Sequence, residues 1–235
     1  MRLGGWQKTT LLDFPGRVAC LVFTQGCNFT CPYCHNPQLV RGPAGKGAPT
    51  PETVLAALHR RRTLLQGVVI SGGEPTLHGD IGDFIREVRA LGLAVKLDSN
   101  GSHPTVLAAL LDAGLLDHVA LDVKGIPGDY PPALCAGDAA TANAALPQCL
   151  DMLHTSGVAG ELRVTCVAPF VTEAAFPALL ARLPRNLPIF LQEGRLSGPV
   201  LDPEFIQSSA RALPRATLHA LARDATNAGY DCRLR

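Results

Sequence analysis

Short apolar runs alternate along the chain with longer segments in which apolar residues recur at helical spacing. Six of the short runs are predicted strands, which cover residues 18–24, 67–70, 94–97, 118–121, 161–167 and 189–191. Predicted helices lie between them at 51–65, 81–91, 104–113, 141–156 and 172–183, and two more follow at 203–213 and 217–228. This alternation is typical of βα units around a parallel sheet. The pattern therefore predicts an α/β fold with six such units.

The length of the chain, 235 residues, allows a substantial core in one large domain or two small ones. No stretch has the composition of an interdomain linker, and no repeat of fixed period is evident. We therefore expect a single domain over residues 1–235. Its core is predicted at about 16–195, and a C-terminal helical extension at about 203–230.

The charges of the chain nearly cancel, because 21 basic residues face 20 acidic ones and leave a formal net charge of +1. Binding driven by overall charge is therefore disfavoured, and neither nucleic acid nor a membrane is an expected partner. The start of the chain has no apolar segment typical of a signal peptide, which predicts a cytoplasmic protein. The longest uncharged stretch, residues 18–40, contains several polar residues and prolines, so no membrane span is expected.

Segments that contain unusual residues follow every predicted strand. These segments are 27–34, which holds three cysteines, and then 71–75, 98–101, 122–124, 168–169 and 192–194. The carboxyl ends of parallel strands share one edge of a sheet or barrel, where ligand sites form. We therefore expect segments that are remote in sequence to contribute to one composite site.

The three clustered cysteines, Cys27, Cys31 and Cys34, have the spacing CxxxCxxC. Three thiolates at this spacing can hold three irons of a 4Fe-4S cluster and leave the fourth iron open to a substrate or cofactor. A structural zinc with His35 as its fourth ligand is one alternative, and three incidental thiols are another. The other cysteines, Cys20, Cys135, Cys149, Cys166 and Cys232, are expected to be small buried residues.

The cysteine motif, with an aromatic residue, Tyr33, before its last cysteine, resembles the signature of the radical S-adenosylmethionine (SAM) superfamily. Residues 24–37, preceded by the segment 12–16, are similar to the activating proteins of anaerobic ribonucleoside-triphosphate reductase. This resemblance is closest at about 8–40, continues to about 167 and then fades. It implies a partial (β/α)6 radical SAM barrel with parallel strands and a site at their C-terminal ends.

The resemblance also implies SAM contacts after the later strands. Gly72, Gly73 and Glu74 match the segment that receives the amino group of SAM, although a plain strand-to-helix turn would have the same glycines. Asp98, Ser99 and Asp122 match residues that bind a monovalent cation beside the SAM carboxylate. An Asx turn remains an alternative for the segment that begins with Asp98.

Three further residues complete the predicted cofactor contacts. Lys124 matches a SAM-contacting lysine, with an ordinary surface salt bridge as the alternative. His35 and Tyr33 flank the last cysteine of the motif and are expected beside the cofactor. A hydrogen bond that only stabilises the loop is an equal alternative for His35.

The activity implied by the resemblance is hydrogen abstraction. An electron from the cluster would cleave SAM to a 5′-deoxyadenosyl radical, which takes hydrogen from a glycine of a partner anaerobic ribonucleotide reductase. No catalytic acid or base is evident, and we assign no catalytic residue. No second group of cysteines is present, so an external donor such as flavodoxin or ferredoxin is expected.

Two other functions remain open on the sequence. One is a radical SAM enzyme that acts on a small molecule or a peptide. The other is a non-enzymatic interaction module that binds zinc through three cysteines and a histidine.

Overall fold

The computed structural model of the chain describes residues 1–43, 45–136 and 138–235. Within these residues the strands are β1 (Leu3–Thr10), β2 (Ala19–Thr24), β3 (Gly67–Gly72), β4 (Ala94–Ser99), β5 (His118–Val123), β6 (Ala159–Ala168), β7 (Ile189–Glu193), β8 (Arg211–Ala212) and β9 (Cys232–Leu234). The α-helices are α1 (Pro37–Val40), α2 (Pro51–Arg61), α3 (Ile81–Ala90), α4 (Pro104–Asp112), α5 (Ala139–Thr155), α6 (Phe176–Leu180), α7 (Pro203–Ser208) and α8 (Arg215–Asn227). Short 3₁₀ helices cover Pro75–Leu77 and Pro132–Leu134.

The chain folds into two compact units. The first unit comprises Met1–Asn28, Gln38–Ser99 and Thr105–Val119. Its strands lie in the order β1-β2-β3-β4, with β1 antiparallel to β2 and the remaining pairs parallel. Strand β3 is an unbroken apolar run with Val68, Val69 and Ile70 fully buried, as expected for a parallel strand that is covered on both faces.

The second unit comprises Phe29–Pro37, Asn100–Pro104 and Ala120–Arg235. Strand β6 pairs in parallel with β7 and antiparallel with β8, and β7 pairs in parallel with β9. Helix α5 contributes Leu146, Leu150 and Leu153 to the core of this unit. Strand β5 begins in the first unit and ends in the second.

The predicted α/β fold class is confirmed, and each of the six predicted strands is present. Four of them, β3, β4, β5 and β7, end two residues beyond their predicted ranges, because the mostly polar residues there continue the extended backbone. Among the described residues, no helix is long and apolar enough to cross a membrane.

The predicted secondary structure was wrong at the two ends of the chain and at several elements in its last third. The predicted helix 172–183 contains only α6, because Pro177 fits only in the first turn of a helix and so delays its start. The predicted helix 203–213 ends at Ser208, and 211–212 instead form β8 beside β6. The predicted helical extension at 203–230 therefore includes a strand. Strands β1 and β9 were not predicted.

Candidate functional site

The segment that follows β3 in the first unit needs glycine at two positions. Gly72 has φ of +123°, and a Cβ there would overlap the backbone of Thr24. A Cβ on Gly73 would overlap the carbonyl oxygen of Gly26. The N–H of Gly73 donates to the Thr24 oxygen at 3.0 Å, and the N–H of Glu74 donates to the Gly26 oxygen at 2.8 Å. The glycines thus let this segment bind the backbone that leads into the cysteine motif.

Glu74 is buried and belongs to a hydrogen-bond network inside the first unit. Its Oε1 accepts from the N–H of Thr76 at 3.1 Å and from the Thr76 hydroxyl at 2.5 Å. It also accepts from the Ser99 hydroxyl at 2.8 Å. The structure therefore brings together two predicted site residues, Glu74 and Ser99, at the ends of β3 and β4. The contact of either residue with SAM stays a prediction.

Asp98 binds a lysine that the sequence interpretation missed. The Lys96 ammonium donates to Asp98 Oδ1 at 2.6 Å, and Lys96 is fully buried. The two residues are two positions apart on β4, so their side chains lie on the same face of the strand. This spacing, together with the scarcity of lysine in the chain, was the available signal. Asp98 thus already has a cationic partner within its own unit.

Asp122, at the end of β5, lies between two cations in the second unit. Arg163 Nε donates to Asp122 Oδ1 at 2.8 Å, and Lys124 Nζ donates to Oδ2 at 3.5 Å. Burial alone would raise the pKa of Asp122, but Arg163 and then Lys124 outweigh it and lower the pKa to about 2. Burial likewise opposes the charge of Lys124, but Asp122, followed by Cys31, raises its pKa well above its ordinary value. Asp122 therefore stays anionic and Lys124 cationic near neutral pH. The monovalent cation predicted beside Asp98 and Asp122 stays a prediction.

The cysteine loop, residues 29–37 of the second unit, is held by backbone hydrogen bonds. The N–H of Cys34 donates to the Cys31 oxygen at 2.9 Å, which forms a tight turn. The N–H of Leu201 donates to the Cys34 oxygen at 3.1 Å, and that of Asp202 donates to the Pro32 oxygen at 3.0 Å. The segment that leads into α7 therefore fixes the conformation of this loop, a role that its sequence did not signal.

Tyr33 lies in the cysteine loop with its ring packed in an aromatic row. Its ring centroid is 5.7 Å from that of Phe170, which stacks on Phe205 at 5.5 Å. The Tyr33 hydroxyl is buried and has no hydrogen-bond partner within the described residues. Burial, followed by the charge of Cys31, raises the pKa of Tyr33 well above its ordinary value, so the hydroxyl remains a proton donor.

The three cysteines of the motif differ from the other five in their surroundings. The five outside the motif are buried, as expected. Burial raises the pKa of Cys20 and Cys166 to about 12 and that of Cys135 and Cys232 to about 11, so these remain protonated. In the motif, Cys27 and Cys34 are half-buried and Cys31 is buried. Three thiols, two of them partly exposed, are a donor set that fits the three protein ligands of an open 4Fe-4S cluster.

The predicted site residues are divided between the two units. The first unit holds Cys27, Gly72, Gly73, Glu74, Asp98 and Ser99, and the second holds Cys31, Tyr33, Cys34, His35, Asp122 and Lys124. Across the described ranges, no group of three or more His, Cys, Asp or Glu side chains has the arrangement of a metal site. The assignment of the three cysteines to a cluster therefore rests on the motif and stays a prediction.

A cleft of about 660 Å³ lies in the second unit beside the cysteine loop. Its lining residues come from that loop, from β6 and β7 and from the C-terminal region, and they are Tyr33, His35, Thr165, Gln192, Glu193, Arg195, Arg215 and Arg235. The segment 192–194 was expected near the site, and the structure places its first two residues in this cleft. The sequence analysis did not predict the three arginines as site residues, because they lie in no motif.

These features define a class of protein, an α/β protein with its candidate ligands at the carboxyl ends of parallel strands. The chain belongs to the radical SAM superfamily, because the model of that family matches residues 21–144, more than half of its length. The match includes the cysteine motif and each predicted SAM-contacting residue. Radical SAM enzymes use a 4Fe-4S cluster and SAM.

Two relatives differ in what their names state. A Methanocaldococcus jannaschii protein named as a glycyl-radical enzyme activating enzyme is 32% identical over 173 residues, which cover 73% of this chain and 70% of that protein. The PqqA peptide cyclase of Rhodopseudomonas palustris is 38% identical over 108 residues, which cover 45% of this chain. The match spans only 28% of the length of that cyclase.

Solved structures agree with the fold. A radical SAM methyltransferase from Sphaerobacter thermophilus superposes with a TM-score of 0.71 at 15% identity. The superposition covers 97% of this chain and 68% of the methyltransferase chain. At this identity the likeness concerns the fold alone, and it supports the α/β class predicted from the sequence.

Proposed function

We propose that the protein is a glycyl-radical enzyme activating enzyme that removes a hydrogen atom from a glycine of an anaerobic ribonucleotide reductase. The observation that carries this proposal is the 32% identity, over 73% of the chain, to a protein named as an activating enzyme. The likeness of residues 24–37 to ribonucleotide reductase activating proteins supports the choice of partner.

The cluster ligands in this proposal are Cys27, Cys31 and Cys34. When bound, the 4Fe-4S cluster and SAM supply a 5′-deoxyadenosyl radical. The contribution of the chain is to fix its ligands. Hydrogen bonds from Leu201 and Asp202 hold the backbone of the cysteine loop, so Cys31 and Cys34 project from a defined conformation.

The SAM contacts in this proposal use groups whose charge is set by their surroundings. Asp122 is anionic near neutral pH, as a ligand of a monovalent cation beside the SAM carboxylate must be, and Lys124 is cationic and can contact SAM. The proposal retains Gly72, Gly73 and Glu74 for the amino group, with Asp98, Ser99, Tyr33 and His35 as the remaining contacts. Each assignment follows the family motif at that position.

The electron donor in this proposal is a separate protein such as flavodoxin or ferredoxin. The five cysteines outside the motif are buried, and burial raises the pKa of four of them to about 11 or 12. Thiols in that state are poor cluster ligands. This supports a single cluster per chain and electron delivery from outside.

Electron paramagnetic resonance tests the proposal directly. The protein is reconstituted anaerobically with iron and sulfide and is then mixed with SAM, dithionite and candidate anaerobic ribonucleotide reductases. A glycyl doublet on the reductase is the expected result. Cys34→Ala should abolish it, whereas Cys135→Ala, a cysteine outside the motif, should retain it. SAM cleavage without a doublet on any glycyl-radical enzyme would reject the activating role.

A radical SAM enzyme acting on a peptide is the second candidate, and the likeness to PqqA peptide cyclase favours it. Mass spectrometry of peptides or metabolites incubated with SAM and dithionite separates it from the first. Metal analysis tests the zinc-binding alternative. About four irons per chain with absorption near ~400 nm support a 4Fe-4S protein, whereas one zinc in a colourless protein would reject both enzymatic functions.

A further inference from the structure

The cleft beside the cysteine loop concentrates positive charge. Three guanidinium groups, those of Arg195, Arg215 and Arg235, line it together with one carboxylate, that of Glu193. Arg235 pairs with Glu161 at 3.5 Å, so Arg195 and Arg215 face the single carboxylate of Glu193 and leave a local surplus of positive charge in the cleft. A cleft with low-dielectric walls focuses such a field and raises the local concentration of anions.

Two of these guanidinium groups are not neutralised by the protein itself. In the part of the chain that the structure describes, neither Arg195 nor Arg215 lies within ion-pair distance of a carboxylate, and both are exposed. Arg233, by contrast, pairs with the neighbouring Asp231 at 2.8 Å. Arg195 and Arg215 are therefore available to an anion from outside the chain.

Arg215 lies at a helix N-terminus, where a positive charge is disfavoured, and the one carboxylate bonded to this first turn is that of Glu173, which accepts from the Thr217 hydroxyl at 3.3 Å within the described residues. Arg215 is the first residue of α8, and the N-terminus of this helix has no side-chain cap. The N-terminal end of a helix carries partial positive charge and unsatisfied N–H groups, so a cation there is repelled and an anion is attracted. A bound carboxylate would neutralise Arg215 and interact favourably with the helix end.

The Tyr33 hydroxyl is an independent feature that favours ligand binding in the same cleft. Tyr33 lines the cleft and is 5% exposed, and its hydroxyl lacks a hydrogen-bond partner among the residues described. A buried donor without a partner is costly, and structures usually satisfy such a group with water or a ligand. An oxygen of a bound molecule would accept this hydrogen bond.

We propose that this cleft binds acidic side chains of the polypeptide on which the protein acts, with Arg195 and Arg215 as the recognition residues. The polypeptide nature of the ligand rests on the proposed function, whereas its negative charge rests on the cleft. Guanidinium groups bind carboxylates through paired hydrogen bonds, which gives both affinity and orientation. Tyr33 and His35, which flank Cys34, line the same cleft, so a segment docked there lies beside the cysteine loop.

Peptide binding to the reconstituted full chain tests the proposal. The probe is a fluorescein-labelled ten-residue peptide with a central glycine flanked by Glu residues, and the matched peptide has Gln in place of Glu. In fluorescence anisotropy, the Glu peptide should bind about tenfold or more tightly than the Gln peptide, since one charge-assisted hydrogen bond accounts for such a factor. Equal affinities for the two peptides would overturn the proposal.

Substitutions in the cleft locate the binding. Arg195→Gln and Arg215→Gln should each reduce the preference for the Glu peptide about tenfold. Arg223→Gln is the matched control, because Arg223 lies on the same helix as Arg215 but faces Asp224 outside the cleft. Arg195→Glu gives a second readout, since it should favour a peptide with Lys in place of Glu. An unchanged preference in all three cleft variants would overturn the assignment.

Two further measurements identify other occupants. If the protein binds citrate but neither peptide, the cleft is a site for a small-molecule anion, and the proposal of a polypeptide ligand is overturned. A large loss of SAM affinity in Arg195→Gln, with the peptide preference unchanged, would assign the cleft to the SAM carboxylate and also overturn the proposal. The expected result is an unchanged SAM affinity in both glutamine variants.

The peptide assay requires no radical, so its outcome is separable from that of the activation assay. A retained Glu preference without any glycyl doublet rejects the activating role and supports acidic docking. A glycyl doublet with no Glu preference supports the activating role and rejects the acidic docking.

Discussion

Lys96 and Asp98 form a buried ion pair that no motif indicated. The sequence motifs predicted Asp98, because it begins a polar segment after a strand, but gave no role to the lysine two residues before it. Contacts of this kind depend on which strand face is buried and on what covers it, so a single sequence does not determine them. The glycines after β3 were predictable, because only glycine, which has no Cβ, lets two backbone segments approach each other so closely.

Replacement of Lys96 by Met should destabilise the protein by about 3–5 kcal/mol, because Asp98 then loses the ammonium that binds it in a buried setting. Urea denaturation measures the change. The control is Lys8→Met, an exposed lysine on β1, which should change the free energy of unfolding by less than about 0.5 kcal/mol. A small loss for Lys96→Met would show that the pair contributes little.

Replacement of Gly73 by Ala should cost about 1–3 kcal/mol of stability, as overpacking does in a close-packed region. The added Cβ would overlap the Gly26 oxygen, which itself accepts the hydrogen bond from the N–H of Glu74. Thermal or urea unfolding measures the loss. Gly79→Ala is a matched control, because a Cβ at Gly79 meets nothing within 4 Å. Equal stability of the two variants would contradict the packing argument.

Asp122 should make stability depend on pH in the acid range. Its pKa falls from an ordinary value of 3.8 to about 2 in the folded protein, so its contribution is present above about pH 4 and is lost as the pH falls towards 2. We expect the difference in the free energy of unfolding between the cluster-free chain and its Asp122→Asn variant to shrink as the pH is lowered from 6 to 2. Asp231→Asn, at an exposed ion pair, serves as the control. A difference that is constant with pH would rule out this linkage.

The segment before α7 and the helix itself brace the cysteine loop. Leu201 and Asp202 hold its backbone, and Phe205 on α7 completes the aromatic row with Phe170 and Tyr33. The resemblance to known families had faded by this part of the chain, so its importance was visible only in the structure. The C-terminal segment therefore contributes to the site as well as to the core.

Removal of the Phe205 ring should loosen the cysteine loop. Phe205→Ala should speed the release of iron from the reconstituted protein to a chelator several-fold, because the row that supports Tyr33 is shortened. Iron release is followed by absorbance. Ile206→Ala, at the neighbouring position on α7, is the control and should leave the rate nearly unchanged. An identical rate in the two variants would exclude a role for the row in holding the loop.

The six strands of βα units were predictable because each is a short apolar run that is buried in the fold. Strand β1 escaped prediction because LGGWQKTT mixes glycine and polar residues, and an antiparallel strand of this kind is exposed along much of its length. Strands β8 and β9 contain two and three residues, too few for any periodicity. Their pairing with β6 and β7 is a property of the tertiary fold.

Charge is distributed unevenly over a molecule whose total is nearly zero. The net charge of +1 argued against nucleic acid and membrane partners, and it concealed the arginine-lined cleft. Composition reports only the sum of the charges, whereas recognition depends on where they lie. The fold and the family could thus be inferred from motifs and patterns, but the charge of the cleft could not.

Association with the proposed polypeptide partner should weaken when salt is added. Raising the ionic strength from about 0.1 M to about 1 M shortens the screening distance from about 10 Å to about 3 Å. The affinity for the partner should then fall about tenfold or more, and sedimentation or anisotropy can measure it. Arg215→Gln should show a weaker dependence on salt, whereas an affinity indifferent to salt would argue for an apolar interface.

Each of the two units is assembled from three separate stretches of the chain, so the polypeptide passes from one to the other at five points. The first unit lies entirely before Ala120, but the second takes two of its three stretches from that same region, so no single cut releases the second unit intact. Chimeras that exchange one half of this protein for that of a relative will therefore divide the second unit. Exchange of short surface loops leaves both units undivided and is the better way to change which partner the protein binds.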